Sequence, residues 1–225
     1  YGNGDAGDVA TIITGKFTWG GTDGKAPASI TGGRGTGEGG LVVNAEVIEF
    51  GYDVSARPSG IDNFARTILG FGDVHFIATD RITANNKGSL SVYQSQVSTG
   101  GDGPQYQGGN LTLRSPLITG AGGSVNSITA GGALQVLAPA SGAGAASTVG
   151  LEADVETGAE LNLTGATVQV NTNVVLPSGK LSVEAAGDIT LGDGAYLDLS
   201  GREIVMYDTS SYSWGGDVIL RSTAG

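Results

Sequence analysis

Cysteine is missing from all 225 residues. Its absence excludes thiolate nucleophiles, thiolate metal sites and disulfide staples, and it fits a chain exported unfolded. Histidine occurs once, at His75. A general base needs an orienting partner and a nucleophile within reach, and the sequence nominates neither. His75 alternates with Val74 and Phe76, which reads as an outward position on a strand. No stretch approaches the roughly 20 apolar residues of a membrane helix, because aliphatics come in twos and threes. Basic residues are scarce, 11 against 22 acidic, for a net charge of −11. Such a surface repels nucleic acid and anionic membranes, so no nucleic-acid partner is expected. Helical spacing is nearly absent as well.

Glycine, by contrast, is abundant at 41 residues, without the every-third spacing of collagen. Hydrophobic residues make up 39%, too many for a disordered chain. Between Gly88 and Gly187 one phrase returns: glycine, a small or polar residue or two, then two aliphatics flanking a polar residue. It reads Gly88-Ser-Leu-Ser-Val92, Gly109-Asn-Leu-Thr-Leu113, Gly132-Ala-Leu-Gln-Val136, Gly158-Ala-Glu-Leu-Asn-Leu163 and Gly179-Lys-Leu-Ser-Val183. The leading leucines, Leu90, Leu111, Leu134, Leu161 and Leu181, lie 21, 23, 27 and 20 residues apart. Periods in this range mark solenoids and arrays.

Alternation fills in the unit. From Leu161 to Gly201 short strands are expected at 161–163, 168–170, 174–176, 181–183, 189–191 and 197–199, about seven residues apart. Three such strands span one period. The chain therefore reads as an all-β parallel β-helix, a β-solenoid with about 20–23 residues per coil. Aliphatic columns line the inside, and glycine, asparagine and aspartate take the corners, where positive φ is needed. On the order of ten coils and a length of roughly 50 Å follow from a 4.8 Å strand spacing. Segments 20–40 and 202–216 break the rhythm and are expected to project as loops, and 138–150 makes a smaller excursion. Residues 62–69, in the least repetitive stretch, are expected to form a short helix. The chain begins at Tyr1 and neither end carries an evident polar cap. Residues 1–225 thus read as one solenoid segment internal to a longer chain.

Several patterns invite chemistry and fall short of it. Stacking brings Asp188, Asp193, Asp198, Asp208 and Asp217 near one another, and glycoside hydrolysis needs two carboxylates about 5–9.5 Å apart. The paired-aspartate and Gly-His-Gly motifs of β-helical polygalacturonases are absent, however, and aspartate has an ordinary role in turns. No catalytic residue is assigned, and no enzyme is expected. Gly2–Asp8 loosely resembles a calcium β-roll nonapeptide, with a partial echo at Gly100–Gly103, but such sites need tandem copies. Arg34–Glu38 lacks the Gly-Lys-Ser/Thr of a phosphate loop. Neither metal nor cofactor is expected. Asn110-Leu-Thr112 and Asn162-Leu-Thr164 match the glycosylation sequon and also suit strand starts. The 202–216 insertion gathers Tyr207, Tyr212 and Trp214. Exposed aromatics there stack on sugar rings or bind a partner surface, with Asp208 accepting from a sugar hydroxyl. The alternative is that these rings cover the flank of the rod.

Gly194-Ala-Tyr-Leu-Asp-Leu-Ser-Gly201, a tyrosine-rich insertion, then Gly215-Gly-Asp-Val-Ile-Leu-Arg-Ser222 resemble the repeat grammar of filamentous haemagglutinin-like exoproteins. Gly187-Asp-Ile-Thr-Leu191 and Gly109-Asn-Leu-Thr-Leu113 share it. These are the large secreted members of bacterial two-partner secretion systems. The likeness covers residues 70–225 well and the first 70 poorly. It implies a right-handed coil, export by an outer-membrane transporter, a cell-surface or extracellular location, and roles in adhesion, biofilm or contact-dependent competition. The Asn-Pro-Asn-type motif of the family's secretion domain is absent, so the segment resembles the shaft. The expected function is a structural shaft that presents binding regions away from the cell. Its expected partners are neighbouring coils or further copies end to end, and host or matrix glycans. A self-associating extracellular filament is the alternative, and a β-helical polysaccharide-active enzyme the third reading.

Overall fold

A computed structural model describes residues 1–23, 35–52, 58–100, 103–140 and 155–223. The larger sheet contains β1 (Val9–Ile13), β2 (Lys16–Trp19), β3 (Gly40–Phe50), β5 (Asp73–Ala84), β9 (Asn110–Arg114) and β10 (Leu117–Gly120). It continues through β12 (Ala133–Leu137), β14 (Thr167–Asn171), β15 (Asn173–Val175), β17 (Ile189–Leu191) and β18 (Tyr196–Asp198). The smaller sheet runs β4 (Phe64–Leu69), β6 (Lys87–Tyr93), β11 (Val125–Ala130), β13 (Glu160–Gly165), β16 (Lys180–Ala185), β21 (Asp217–Ser222). Every ladder within these two sheets is parallel. The parallel sheets curl into a half-barrel. Two antiparallel hairpins stand apart: β7 (Ser95–Gly100) with β8 (Gly103–Gln107), and β19 (Glu203–Met206) with β20 (Thr209–Tyr212). Among the described residues there is no helix.

Period-two sequence becomes period-two burial. Strand β6 buries Gly88, Leu90 and Val92 and turns Ser89 and Ser91 outward. Parallel register then stacks like on like. On the larger sheet one inward column runs Ala10–Leu41–Val74–Leu111–Leu134–Val168–Ile189. On the smaller sheet one runs Gly88–Asn126–Leu161–Leu181–Val218, and its neighbour Arg66–Leu90–Ile128–Leu163–Val183–Leu220. Both walls feed a single apolar core. The five leading leucines therefore occupy three columns, because the phrase recurs on different walls. This larger-sheet ladder has seven strands, β1, β3, β5, β9, β12, β14 and β17.

Three local results depart from or refine the sequence reading. First, the segment expected to form a helix at 62–69 contains strand β4. Phe64, Arg66 and Ile68 alternate inward, and pairing with β6 decides the conformation over local propensity. Second, among the described residues no strand of the larger sheet lies between β12 and β14, that is between Leu137 and Thr167. Strand β10 pairs directly with β15, Leu117 beside Asn173. Buried polar bonds sew this junction: Thr172 Oγ1 donates to Ser115 O at 2.6 Å, Thr119 Oγ1 to Val175 O at 2.9 Å, and Asn173 Nδ2 to Pro116 O at 2.9 Å. Most of the 138–150 excursion lies outside the described residues. Third, residues 24–34 of the 20–40 segment lie outside them too, while its end packs on the first residues. Glu38 N donates to Gly4 O at 2.9 Å, and a Cβ on Gly70 would meet Gly2 O at 2.2 Å. Gly70 also has φ +87°, so glycine is required there twice over.

Arg66 is the unusual member of the core. It is 2% exposed, yet sits in an aliphatic column. Its guanidinium lies at the edge of β4 away from β6, where among the described residues the pairing is the isolated bridge Thr22–Ala65. Nε donates to Trp19 O at 2.6 Å and Nη2 to Gly20 O at 3.0 Å, while Nη1 reaches Ser89 O at 3.2 Å and Phe64 O at 3.4 Å. All four bonds end on backbone carbonyls. Burial lowers its pKa to about 10, against a small opposing effect from Tyr52, and the group stays cationic at neutral pH.

Candidate functional site

The 202–216 insertion is a two-stranded ribbon on a fixed root. Strands β19 and β20 pair antiparallel, with Glu203 opposite Tyr212 and Met206 opposite Thr209. The root begins at Asp198, whose side chain is buried. Arg202 Nη2 lies 2.6 Å from Asp198 Oδ2, and its Nη1 donates to Ser200 Oγ. Ser200 donates to Asp198 Oδ1 twice, from N at 2.9 Å and from Oγ at 2.6 Å. Burial alone would raise the Asp198 carboxyl. The bonds from Arg202 and Ser200 and the guanidinium charge outweigh it and hold the pKa below the ordinary aspartate value. Across the ribbon's mouth Ser213 N donates to Arg202 O at 2.9 Å, and Arg202 N donates to Ser213 Oγ at 2.7 Å. Ser178 Oγ donates to Ser213 Oγ at 2.7 Å and ties the mouth to the preceding corner.

The four residues singled out in the sequence all lie on this ribbon or at its mouth. Tyr207 and Asp208 form the tip between the strands, Tyr212 ends β20, and Trp214 follows the root. Tyr207 is 100% exposed, Trp214 91% and Tyr212 72%. The rings stand in water and do not cover the flank of the stack. None of the three stacks on another ring among the described residues. Tyr207 also holds φ 57°, a left-handed conformation that a bulky side chain rarely adopts. Ile204 and Val205 beside it are 41% and 66% exposed. The ribbon thus offers separate aromatic plates on a rigid base, with the Asp208 carboxylate at the tip.

No family model, curated protein or solved structure matches this chain. The reading of the ribbon rests on its own geometry.

The other candidates settle into the scaffold. His75 lies outward on β5, beside Val42 and Thr112. Asp198 is committed to Arg202, Asp208 sits at the ribbon tip, and Asp217 opens β21. Asp188 and Asp193 occupy the turns flanking β17. Among the described residues no three His, Asp or Glu side chains group as a metal site. Around Gly2–Asp8, Asp8 Oδ2 accepts from Asp5 N at 3.0 Å, so the turn uses its own carboxylate. The echo at Gly100–Gly103 lies partly outside the described residues, as does Arg34. Asn110 is spent on its neighbours, donating to Asp73 Oδ1 at 3.0 Å and accepting from Ala133 N at 2.9 Å.

Proposed function

We propose that this chain is a shaft segment of a secreted bacterial surface exoprotein of the filamentous haemagglutinin-like kind. In this reading it is a right-handed β-solenoid whose uninterrupted coils take about 20–23 residues. It is exported through an outer-membrane transporter and holds binding regions away from the cell. The observation that carries the reading is the stack itself: in-register columns seven strands long on one wall. Such an object works through its length and side faces. The ribbon is its side-face contact in this proposal. Tyr207, Tyr212 and Trp214 stack on host or matrix glycans, and Asp208 accepts from a hydroxyl. What supports this is the retention of a fully exposed tyrosine in a conformation glycine would hold at less cost.

The test is antibody labelling of intact producing cells with a serum against the folded segment. Label standing off the outer surface is the expected result. Label found only after the cells are opened would contradict the proposal.

A further inference from the structure

Tyrosine occurs seven times, and the rings of Tyr93 and Tyr106 lie against each other. Their centroids are 4.9 Å apart and their planes 18° from parallel, a stacked pair. Among the described residues this is the only contact between two tyrosine rings; Tyr52 packs on Phe64 instead. The partners come from different parts of the fold. Tyr93 ends β6, where its carbonyl accepts from Gly70 N at 3.0 Å. A Cβ on Gly131 would meet Tyr93 Cδ1 at 2.8 Å, and one on Gly109 would meet Tyr93 Cα at 2.9 Å, so two glycines leave this residue its place. Tyr106 lies on β8, opposite Gln96 of β7, and Gln94 N donates to Gln107 O at 3.1 Å at the hairpin root. The stack therefore joins the β7–β8 hairpin to the smaller sheet. Both tyrosines are half-buried, held in place and still open to a small oxidant.

We propose that Tyr93 and Tyr106 form an oxidative cross-linking site, joined as dityrosine by hydrogen peroxide with a haem peroxidase. Each phenol gives one electron and one proton to the oxidised haem. The two phenoxyl radicals form one carbon–carbon bond, between ring carbons ortho to their oxygens. The hydrogens on those carbons then move to the oxygens, which restores both aromatic rings. Peroxide takes up the two electrons and two protons and leaves as two waters. Holding the rings in contact makes the coupling step effectively unimolecular, so it outruns coupling between chains. The new bond closes the chain between Tyr93 and Tyr106 into a loop and restricts its unfolded conformations, as a disulfide does. A chain with no cysteine gains a covalent staple this way, and the staple fixes the hairpin to the wall. It needs only this ring geometry, whether or not the chain is a shaft segment.

Trypsin leaves both tyrosines in one peptide, 88–114, between the cleavage sites at Lys87 and Arg114. The test treats the intact chain with a haem peroxidase and limiting hydrogen peroxide. The expected product is a monomer on a denaturing gel, with dityrosine fluorescence and with peptide 88–114 lighter by two hydrogens. Tyr93→Phe and Tyr106→Phe keep the ring and remove the phenol, and each is expected to abolish that mass loss. Tyr196→Phe, at the exposed tyrosine of β18, is expected to leave it unchanged. The internal link is expected to form at least about tenfold faster in the folded chain than in the free 88–114 peptide, where nothing holds the rings together. Three results would overturn the proposal: peptide 88–114 unchanged in the treated chain, a mass loss that survives either phenylalanine substitution, or equal rates in chain and peptide.

Discussion

At the scale of single residues, the two least expected side chains are a buried cation and an exposed ring. Arg66 donates to four backbone carbonyls, those of Trp19, Gly20, Phe64 and Ser89. Replacing it with methionine keeps the volume and removes the donors. The variant is expected to lose roughly 3 kcal/mol in urea unfolding, since orphaned buried acceptors each cost about 1–3 kcal/mol. A loss under about 0.5 kcal/mol would mean the carbonyls find other partners. Its role was only half legible. The run Phe-Ala-Arg-Thr-Ile-Leu over 64–69 has period-two spacing, but a cation at an inward position reads as a surface residue until its carbonyl partners are seen. Leu181 was the opposite case, its burial plain from the glycine-led phrase around it.

Among the elements, legibility followed corner length. Where corners are short, the strands foreseen at 161–163, 168–170, 181–183 and 189–191 lie within the observed β13, β14, β16 and β17. Alternation and punctuation agree there, and neighbouring strands share the same register. The β7–β8 hairpin carried no such signal, because Ser95–Gln107 has few aliphatics to alternate. The 202–216 ribbon was visible as an interruption rich in aromatics, while its root was not. Asp198, Ser200, Arg202 and Ser213 become one cluster only when the chain doubles back. The ribbon also yields a separable prediction. Tyr207→Gly relieves the left-handed strain, so thermal unfolding is expected to stay level or rise, by up to about 1 kcal/mol. The same change removes the most exposed ring and is expected to cut retention on immobilised glycans severalfold. Unchanged retention would take Tyr207 out of the contact surface.

For the whole molecule, stability lies in repetition. Successive strands follow in register along each wall, so the interior side chains of both walls are buried in one apolar core. Among the described residues one ladder of the larger sheet runs through seven strands. The two antiparallel hairpins, β7–β8 and β19–β20, stand apart from the walls. Strand β10 meets β15 directly, a junction held by Thr119, Thr172 and Asn173. The central claim is that inward aliphatics form continuous columns. Equilibrium urea unfolding of Leu181→Asp beside Asn162→Asp tests it most directly. Leu181 is fully buried, while Asn162 points outward on the adjacent strand. The columns predict a loss of several kcal/mol for Leu181→Asp, from an unpaired polar group in an apolar core, and a change within about 0.5 kcal/mol for Asn162→Asp. Equal stability of the two variants would contradict the architecture.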